Sequence, residues 1–234
     1  MNTLVNCLSS WNIDIDDKAS ELFDRYYELL VFYNEKINLT SITLREDVDI
    51  KHFADSIAML HYIDPSEKYI GDIGTGAGFP GIPIKIMCPD CKMVLMDSLG
   101  KRVKFLEEVI KELGLTYTVA VHGRAEDLAK DQQYREKFDI VTSRAVSNLR
   151  TLSEYCLPFV SVGGMFVSYK SGTIDDEISE SGNAISTLGG KINRIERFTL
   201  PSTNYERSLV IIDKAENTPE RFPRKAGTPL KKPL

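Results

Sequence analysis

Between residues 69 and 212, short apolar runs alternate with segments whose apolar residues recur every three or four positions. The first pattern is typical of buried strands and the second of amphipathic helices. Their regular alternation predicts an α/β fold, a mostly parallel seven-stranded sheet with helices on both faces. Only a loop separates the last two runs, so we expect them to pair as an antiparallel hairpin. The predicted strands are residues 69–73, 93–96, 117–121, 138–142, 165–169, 192–200 and 209–212.

The first 66 residues have a helical pattern and no strand-like run. Asp16 or Asp17 is suited to cap a helix that continues towards Ile37. A second patch has apolar residues on one helical face and ends at a turn before Lys68. We therefore predict three parts: an N-terminal helical region (1–66), an α/β domain (67–215) and a basic C-terminal tail (216–234).

Charge is distributed unevenly along the chain. The net charge is −5, which argues against a nucleic-acid binder that is basic throughout. Residues 221–234 carry five basic residues and no acid, so the rest of the chain has a net charge of −10. A basic tail on an acidic body indicates a local anionic partner, and the alternative is a solvated, frayed terminus.

The chain has no apolar run near the ~20 residues of a membrane helix. Residues 1–11 lack the basic and apolar regions of a signal peptide, so we expect a cytoplasmic protein with no membrane partner. Cys88 and Cys91 form a lone C-x-x-C without further zinc ligands, so no metal site is predicted. We interpret the two thiols as part of a turn, and a redox role is the alternative.

Residues 72–81 read Asp-Ile-Gly-Thr-Gly-Ala-Gly-Phe-Pro-Gly, between a predicted strand and a predicted helix. Glycines at such a place allow a sharp turn and let a ligand approach the backbone closely. Gly76, Gly78 and Gly81 satisfy the dinucleotide fingerprint G-x-G-x-x-G, and Asp97 lies near the expected ribose-binding acid. A nicotinamide-binding oxidoreductase is therefore one alternative.

A second register of the same segment is the turn D-x-G-x-G from Asp72 to Gly76, followed by Gly78. We favour this register because the first places Pro80 inside the helix, and because the second βαβ half of a nicotinamide domain is missing. This turn resembles the first motif of methyltransferases that use S-adenosylmethionine. The terminal hairpin is also the arrangement of Rossmann-like class I methyltransferases.

Two further strand ends carry candidate nucleoside contacts. Asp97 ends the second strand, where a carboxylate can accept hydrogen bonds from both ribose hydroxyls. Its alternative role is the cap of the next helix, but Ser98 is available for that. Residues 123–127 follow the third strand, and the resemblance to class I methyltransferases implies that they border the adenine. The alternative is a capping turn before a short helix, which Glu126 or Asp127 would favour.

Residues Ser143-Arg144-Ala145 follow the fourth strand, where class I methyltransferases usually carry their catalytic motif. The Asn/Asp-Pro-Pro-aromatic signature is absent there, and no cysteine follows closely. Because an unpaired buried guanidinium is costly, Arg144 is expected to hold a methionine carboxylate or an RNA phosphate. The alternative is a structural ion pair with Asp72 or Glu126.

Several segments together resemble the bacterial RsmG family, also called GidB, over nearly the whole chain. They are Asn38-Leu39-Thr40-Ser41-Ile42, residues 51–56, 72–83 and 97–102, Ser143-Arg144-Ala145, and residues 223–229. The resemblance implies a 16S rRNA (guanine-N7) methyltransferase that uses S-adenosylmethionine and acts on a guanine in the decoding-region loop. A methyltransferase with a small-molecule or protein substrate is the alternative.

The resemblance and the motifs together give the expected site residues. Arg144 is the expected catalytic residue. The expected cofactor-binding residues are Asp72, Gly74, Gly76, Gly78, Phe79, Asp97, Ser98, Ala125, Glu126 and Arg144.

The expected partner is 16S rRNA or the 30S subunit, bound by a monomer. Phosphate contacts set the position and affinity of a bound RNA. His52 and Asp55 share a helical face and either support the pocket or form a structural pair. The expected RNA-binding residues are Lys101, Arg102, Lys170, Arg224 and Lys225.

Overall fold

The sheet follows the alternation of the sequence. The protein is described here by a computed structural model covering residues 2–234. Its strands are β1 (Tyr69–Ile73), β2 (Lys92–Asp97), β3 (Thr118–His122), β4 (Phe138–Arg144), β5 (Val160–Ser171), β6 (Gly190–Thr199) and β7 (Glu206–Lys214).

Within the described residues these strands form one seven-stranded sheet in the order β3-β2-β1-β4-β5-β7-β6. β1 to β5 pair in parallel, whereas β7 runs antiparallel to both β5 and β6. The predicted parallel sheet with a terminal hairpin is therefore confirmed. The strand order reverses between β1 and β4, and ligands of open α/β sheets bind at the carboxyl ends of the strands at such a point.

Helices occupy the N-terminal region, the connections between strands and the tail. A π-helical turn (Asp49–Ala54) lies between two short α-helices of the N-terminal region, and 3₁₀ turns follow at Ala58–His61 and Leu157–Phe159. The α-helices are α1 (Asn2–Ser9), α2 (Asp17–Ile37), α3 (Arg45–Val48), α4 (Asp55–Ile57), α5 (Gly81–Met87), α6 (Gly100–Glu112), α7 (Ala125–Leu128), α8 (Leu149–Cys156), α9 (Asp175–Thr187) and α10 (Thr228–Lys231).

Local signals account for the helix and strand ends. Asp16 caps α2, because its Oδ1 accepts a hydrogen bond from the Ala19 amide at 2.7 Å. β5 begins at Val160, five residues earlier than the sequence predicts, since Gly163 and Gly164 interrupt its apolar pattern. A Cβ on Gly164 would lie 2.6 Å from the carbonyl oxygen of Asp139, so only glycine fits there.

Two apolar clusters cover the two faces of the sheet. One joins the N-terminal helices to Ile70, Ile140 and Val167 of the central strands. The other joins α8 and α9 to the opposite face and includes Phe222 of the C-terminal tail. Both ends of the chain thus pack against the α/β domain. No helix within residues 2–234 has the length and hydropathy that a membrane span requires.

Candidate cofactor and substrate site

The loop after β1 is shaped from below by Asp72. Its Oδ2 accepts hydrogen bonds from Thr75 Oγ1 at 2.6 Å and from the Gly81 amide at 2.9 Å, and its Oδ1 accepts one from Thr142 Oγ1 at 3.1 Å. Burial raises the pKa of Asp72 to about 6, against the opposing effect of these hydrogen bonds. The sequence placed Asp72 among the cofactor contacts, whereas the structure places it beneath the loop, fully buried.

Positive φ angles explain why glycines occupy this loop. Gly74 has φ +70°, and a Cβ there would lie 2.5 Å from Cγ2 of Val146. Gly76 has φ +64° and open space where its Cβ would be. Gly78 has φ +102° and would contact Tyr26 Oη at 2.7 Å if it carried a Cβ. Gly76 is therefore the point where a ligand can approach the backbone, and Gly78 is a packing position.

Tyr26 of α2 holds the other side of the same loop. Its hydroxyl donates a hydrogen bond to the carbonyl oxygen of Ala77 at 2.5 Å. Burial raises the pKa of Tyr26 well above its usual value, so the hydroxyl keeps the proton that it donates. Nothing in the sequence predicts this role, because Tyr26 and Ala77 are 51 residues apart.

Asp97, at the end of β2, contacts the start of the next helix, which is the alternative role that the sequence indicated, and its ribose role stays a prediction. Its Oδ1 accepts a hydrogen bond from the Leu99 amide at 2.9 Å, which holds the start of α6. Its Oδ2 accepts one from the Gly76 amide at 2.9 Å and lies 3.3 Å from Nη1 of Arg102. Leu99 precedes α6 without a side-chain cap, so the expected capping role of Ser98 is wrong.

A cavity of about 390 Å³ opens at the carboxyl ends of β1, β2 and β3. It brings together five expected cofactor residues: Gly74, Asp97, Ser98, Ala125 and Glu126. Its chemistry suits a nucleoside, since carboxylates lie beside apolar side chains in the same wall. The other lining residues are Ile73, Met96, Leu99, Gly123, Arg124, Val146, Tyr155, Gly227 and Leu230.

A second cavity of about 630 Å³ lies at the carboxyl ends of β4 and β5, and Val146 lines both cavities. Four cationic and two acidic side chains face it, so its wall is predominantly positive. This potential favours an anionic ligand such as a phosphate. The charged residues of the wall are Lys51, Arg144, Lys170, Arg207, Asp55 and Glu177.

Arg144 is held in this second cavity by Asp55. Its Nη1 donates to Oδ2 of Asp55 at 3.0 Å, and Oδ1 of the same carboxylate accepts from Nε of Arg207 at 3.1 Å. The sequence named Asp72 or Glu126 as the alternative ion-pair partner, and the structure corrects both to Asp55. Asp55 is 5% exposed, so each guanidinium has a nearly desolvated partner.

His52 completes the wall beside Arg144. Its ring stacks on Phe79 with centroids 4.5 Å apart, and the guanidinium carbon of Arg144 lies 5.1 Å from the centroid of the same Phe79 ring. Burial, and secondarily the charge of Arg144, lower the pKa of His52 to about 3. The imidazole is therefore neutral at pH 7, and its Nε2 is hydrogen-bonded to Thr40 Oγ1 at 2.8 Å.

Known proteins resemble this chain over nearly its full length. The profile of the rRNA small subunit methyltransferase G family, GidB, matches residues 19–210. A ribosomal RNA small subunit methyltransferase G from Lactobacillus johnsonii is 46% identical over 97% of this chain and 96% of its own length. Its counterpart from Desulforamulus reducens is 49% identical over 99% and 97%. The chain belongs to this family.

Solved structures with low sequence identity share the fold. M. jannaschii TYW2 in complex with AdoMet has a TM-score of 0.55 and 13% identity, covering 69% of this chain and 76% of its own. The ribosomal protein L11 methylase of Lactobacillus delbrueckii subsp. bulgaricus has a TM-score of 0.54 and 15% identity, covering 71% and 79%. These likenesses show that this member of the family has the class I S-adenosylmethionine-dependent methyltransferase fold, with an N-terminal helical extension.

The expected RNA-binding residues are not equally available. Lys225 is exposed, and exposed Lys101 donates to the carbonyl oxygen of Ile37 at 3.1 Å. Lys170 lies in the second cavity but donates to Glu177 Oε1 at 2.5 Å. Arg102 is half-buried, and its Nη1 lies 3.3 Å from Oδ2 of Asp97. Their contact with RNA stays a prediction.

Arg224 stands apart from this group. Its Nη2 donates to Oε2 of the buried Glu154 at 2.6 Å, and its backbone amide donates to Oε1 at 2.8 Å. The side-chain hydrogen bond with Glu154 raises the pKa of Arg224. The tail is consequently anchored at this point, contrary to the alternative of a frayed terminus.

The C-x-x-C pair forms a turn between α5 and β2, as expected. Burial raises the pKa of Cys88 to about 12 and that of Cys91 to about 11, so both thiols are protonated at neutral pH. Lys85 stabilises the turn by donating to the carbonyl oxygens of Pro89 at 2.7 Å and Cys91 at 2.5 Å. Over residues 2–234, no group of three or more His, Cys, Asp or Glu is arranged to hold a metal ion.

Proposed function

We propose that this protein methylates N7 of a guanine in the decoding-region loop of 16S rRNA, using S-adenosylmethionine. The observation that carries the proposal is the pair of adjoining cavities with different chemistry. One holds the carboxylates of Asp97 and Glu126 beside apolar side chains, and the other has four cationic and two acidic side chains in its wall. A nucleoside cofactor fits the first, and the phosphate backbone of an RNA is attracted to the second.

The residues of the first cavity are proposed to hold the cofactor. Asp97 would accept hydrogen bonds from the ribose hydroxyls while keeping its bond to the Gly76 amide. The open space at Gly76 allows close approach to the loop, and Gly74 lies against Val146, which lines both cavities. Phe79 packs against the guanidinium of Arg144 in the second cavity. Ser98 and Ala125 line the nucleoside end.

The second cavity is proposed to position the RNA. Arg144 and Arg207 share Asp55, which fixes their orientation and leaves the cavity with surplus positive charge. Lys170 extends this wall. When bound, S-adenosylmethionine supplies a methyl group to the N7 lone pair, which carries no proton. The protein therefore has to position the guanine and exclude water rather than provide a base.

The decisive experiment is methyl transfer with tritiated S-adenosylmethionine to 16S rRNA and to 30S subunits from a strain lacking this gene. Mass spectrometry then identifies the modified nucleoside. We expect label as 7-methylguanosine at one site in the decoding-region loop, and Arg144→Ala should abolish it. Label in a different nucleoside contradicts the N7 assignment, and no label on any RNA form contradicts the RNA substrate. A small molecule or a protein would then be the substrate.

An enzyme with this substrate would work in the cytoplasm, where ribosomal subunits are assembled. We propose that it acts as a monomer, in which one chain supplies the lining of both cavities. Sedimentation of the protein alone and with 30S subunits tests this, and a stable dimer in either sample contradicts it.

A further inference from the structure

The C-terminal tail is fastened across the surface beside the nucleoside cavity. Arg224 binds the buried carboxylate of Glu154 on α8. Three residues later, the Gly227 amide donates to Oε1 of Glu126 at 2.8 Å. Thr151 Oγ1 then donates to the carbonyl oxygen of Pro229 at 3.3 Å. This succession of contacts fixes the path of the backbone directly before Leu230.

This path brings the tail into the wall of the 390 Å³ cavity. Gly227 and Leu230 line it together with Ala125 and Tyr155. Leu230 is 64% exposed although the preceding residue, Pro229, is buried. An exposed leucine at the rim of a cavity presents apolar surface that a flat, apolar ligand face would cover.

Glu126 is the residue that holds the tail at Gly227. The carboxylate is 6% exposed, and its Oε1 already accepts the Gly227 amide. Glu126 therefore holds the tail in place, and the surface that the tail offers to the cavity is apolar.

We propose that the tail forms one wall of the adenine pocket, with Leu230 covering the adenine ring and Glu126 anchoring the tail. The inference rests on the proposed function, because it assumes that S-adenosylmethionine occupies this cavity. It assigns a cofactor-binding role to a segment whose basic residues alone would indicate RNA binding.

The test measures binding of S-adenosylhomocysteine and of 5′-methylthioadenosine to Leu230→Ser by calorimetry. Both probes contain adenine, so both are expected to bind about tenfold more weakly, which corresponds to ~1.4 kcal/mol. The melting temperature should stay near that of the wild type, because the side chain is 64% exposed. Leu230→Met keeps the apolar surface and is expected to bind both probes as the wild type does.

The control is the double variant Lys231→Ala, Lys232→Ala, which removes exposed charge next to the wall and should leave both affinities unchanged. Wild-type affinities in Leu230→Ser overturn the inference, as does a loss confined to S-adenosylhomocysteine. Weaker RNA binding with intact cofactor affinity would instead make this part of the tail an RNA contact. If the wild type binds neither probe, the cofactor assignment itself fails.

Discussion

The buried imidazole of His52 makes a quantitative prediction about pH and stability. Replacing His52 by Gln keeps a group that can bond Thr40 Oγ1 but removes the titrating ring. In the native protein the pKa of His52 is about 3, against an ordinary value of 6.5. A lowered native pKa stabilises the fold above pH 6.5, and this stability is lost as the pH falls, because only the unfolded ring takes up a proton.

The size of the effect follows from these two values. Between pH 7 and pH 5, protonation of the unfolded ring removes about 2 kcal/mol from the free energy of unfolding. Asp72 acts in the opposite direction, because its native pKa of about 6 lies above the ordinary 3.8. Its buried carboxyl group takes up a proton as the pH falls, which restores about 1 kcal/mol over the same range. The wild type is therefore expected to show a net loss smaller than the contribution of His52.

Urea denaturation at both pH values, for wild type and for His52→Gln, measures this contribution. The change in unfolding free energy between pH 7 and pH 5 should differ between the two proteins by about 2 kcal/mol, with the wild type losing more. His61→Gln, at an exposed ring, is the control for removing a histidine as such. Parallel losses in wild type and His52→Gln would refute the neutral, buried imidazole beside Arg144.

Three further substitutions test separate parts of the site, and a matched substitution accompanies two of them. Gly74→Ala should lower the free energy of unfolding by ~2 kcal/mol or more and weaken S-adenosylhomocysteine binding, because it adds a steric clash to the strain of positive φ. Gly114→Ala is the control, since Gly114 has positive φ but open space. It should lower the free energy of unfolding by about 1 kcal/mol and leave the affinity measured by calorimetry unchanged. Arg224→Ala should lower the free energy of unfolding by about 3 kcal/mol, because it leaves the buried carboxylate of Glu154 without its guanidinium partner. Lys225→Ala should change the free energy of unfolding by less than ~0.5 kcal/mol and reduce the salt dependence of RNA binding. Asp97→Asn should weaken cofactor binding about a hundredfold, or ~2.7 kcal/mol, and an unchanged affinity would refute its ribose role.

The succession of strands and helices, and the convergence of Gly74 and Asp97, were predictable because they depend on local signals and one topological rule. Apolar runs and helical periodicity place each element, and the carboxyl ends of adjacent parallel strands converge at one edge of the sheet. Gly74 and Asp97 lie directly at such ends, so their convergence follows from the positions of β1 and β2. The sequence did not predict that β5 begins at Val160, because Gly163 and Gly164 interrupt its apolar pattern.

Partners of charged side chains were not predictable in the same way. Asp55 and Arg144 are 89 residues apart in sequence, and Glu154 and Arg224 are 70 apart. Their pairing depends on how the N-terminal helices and the tail cross the edge of the sheet, which no periodicity encodes. The sequence indicated Asp72 as an ion-pair partner of Arg144, but the Asp72 carboxylate already accepts hydrogen bonds from Thr75 in the loop and from Thr142.

These long-range contacts have a common consequence for the construction of the enzyme. Tyr26 of the N-terminal region holds the glycine loop, Asp55 of the same region holds Arg144, and Glu126 of the α/β domain holds the tail at Gly227. Each contact orients a group that lines, or lies beneath, one of the two cavities. Because the side chains of a binding site must be held within a fraction of an ångström, the flanking regions act as parts of the site rather than as additions to it.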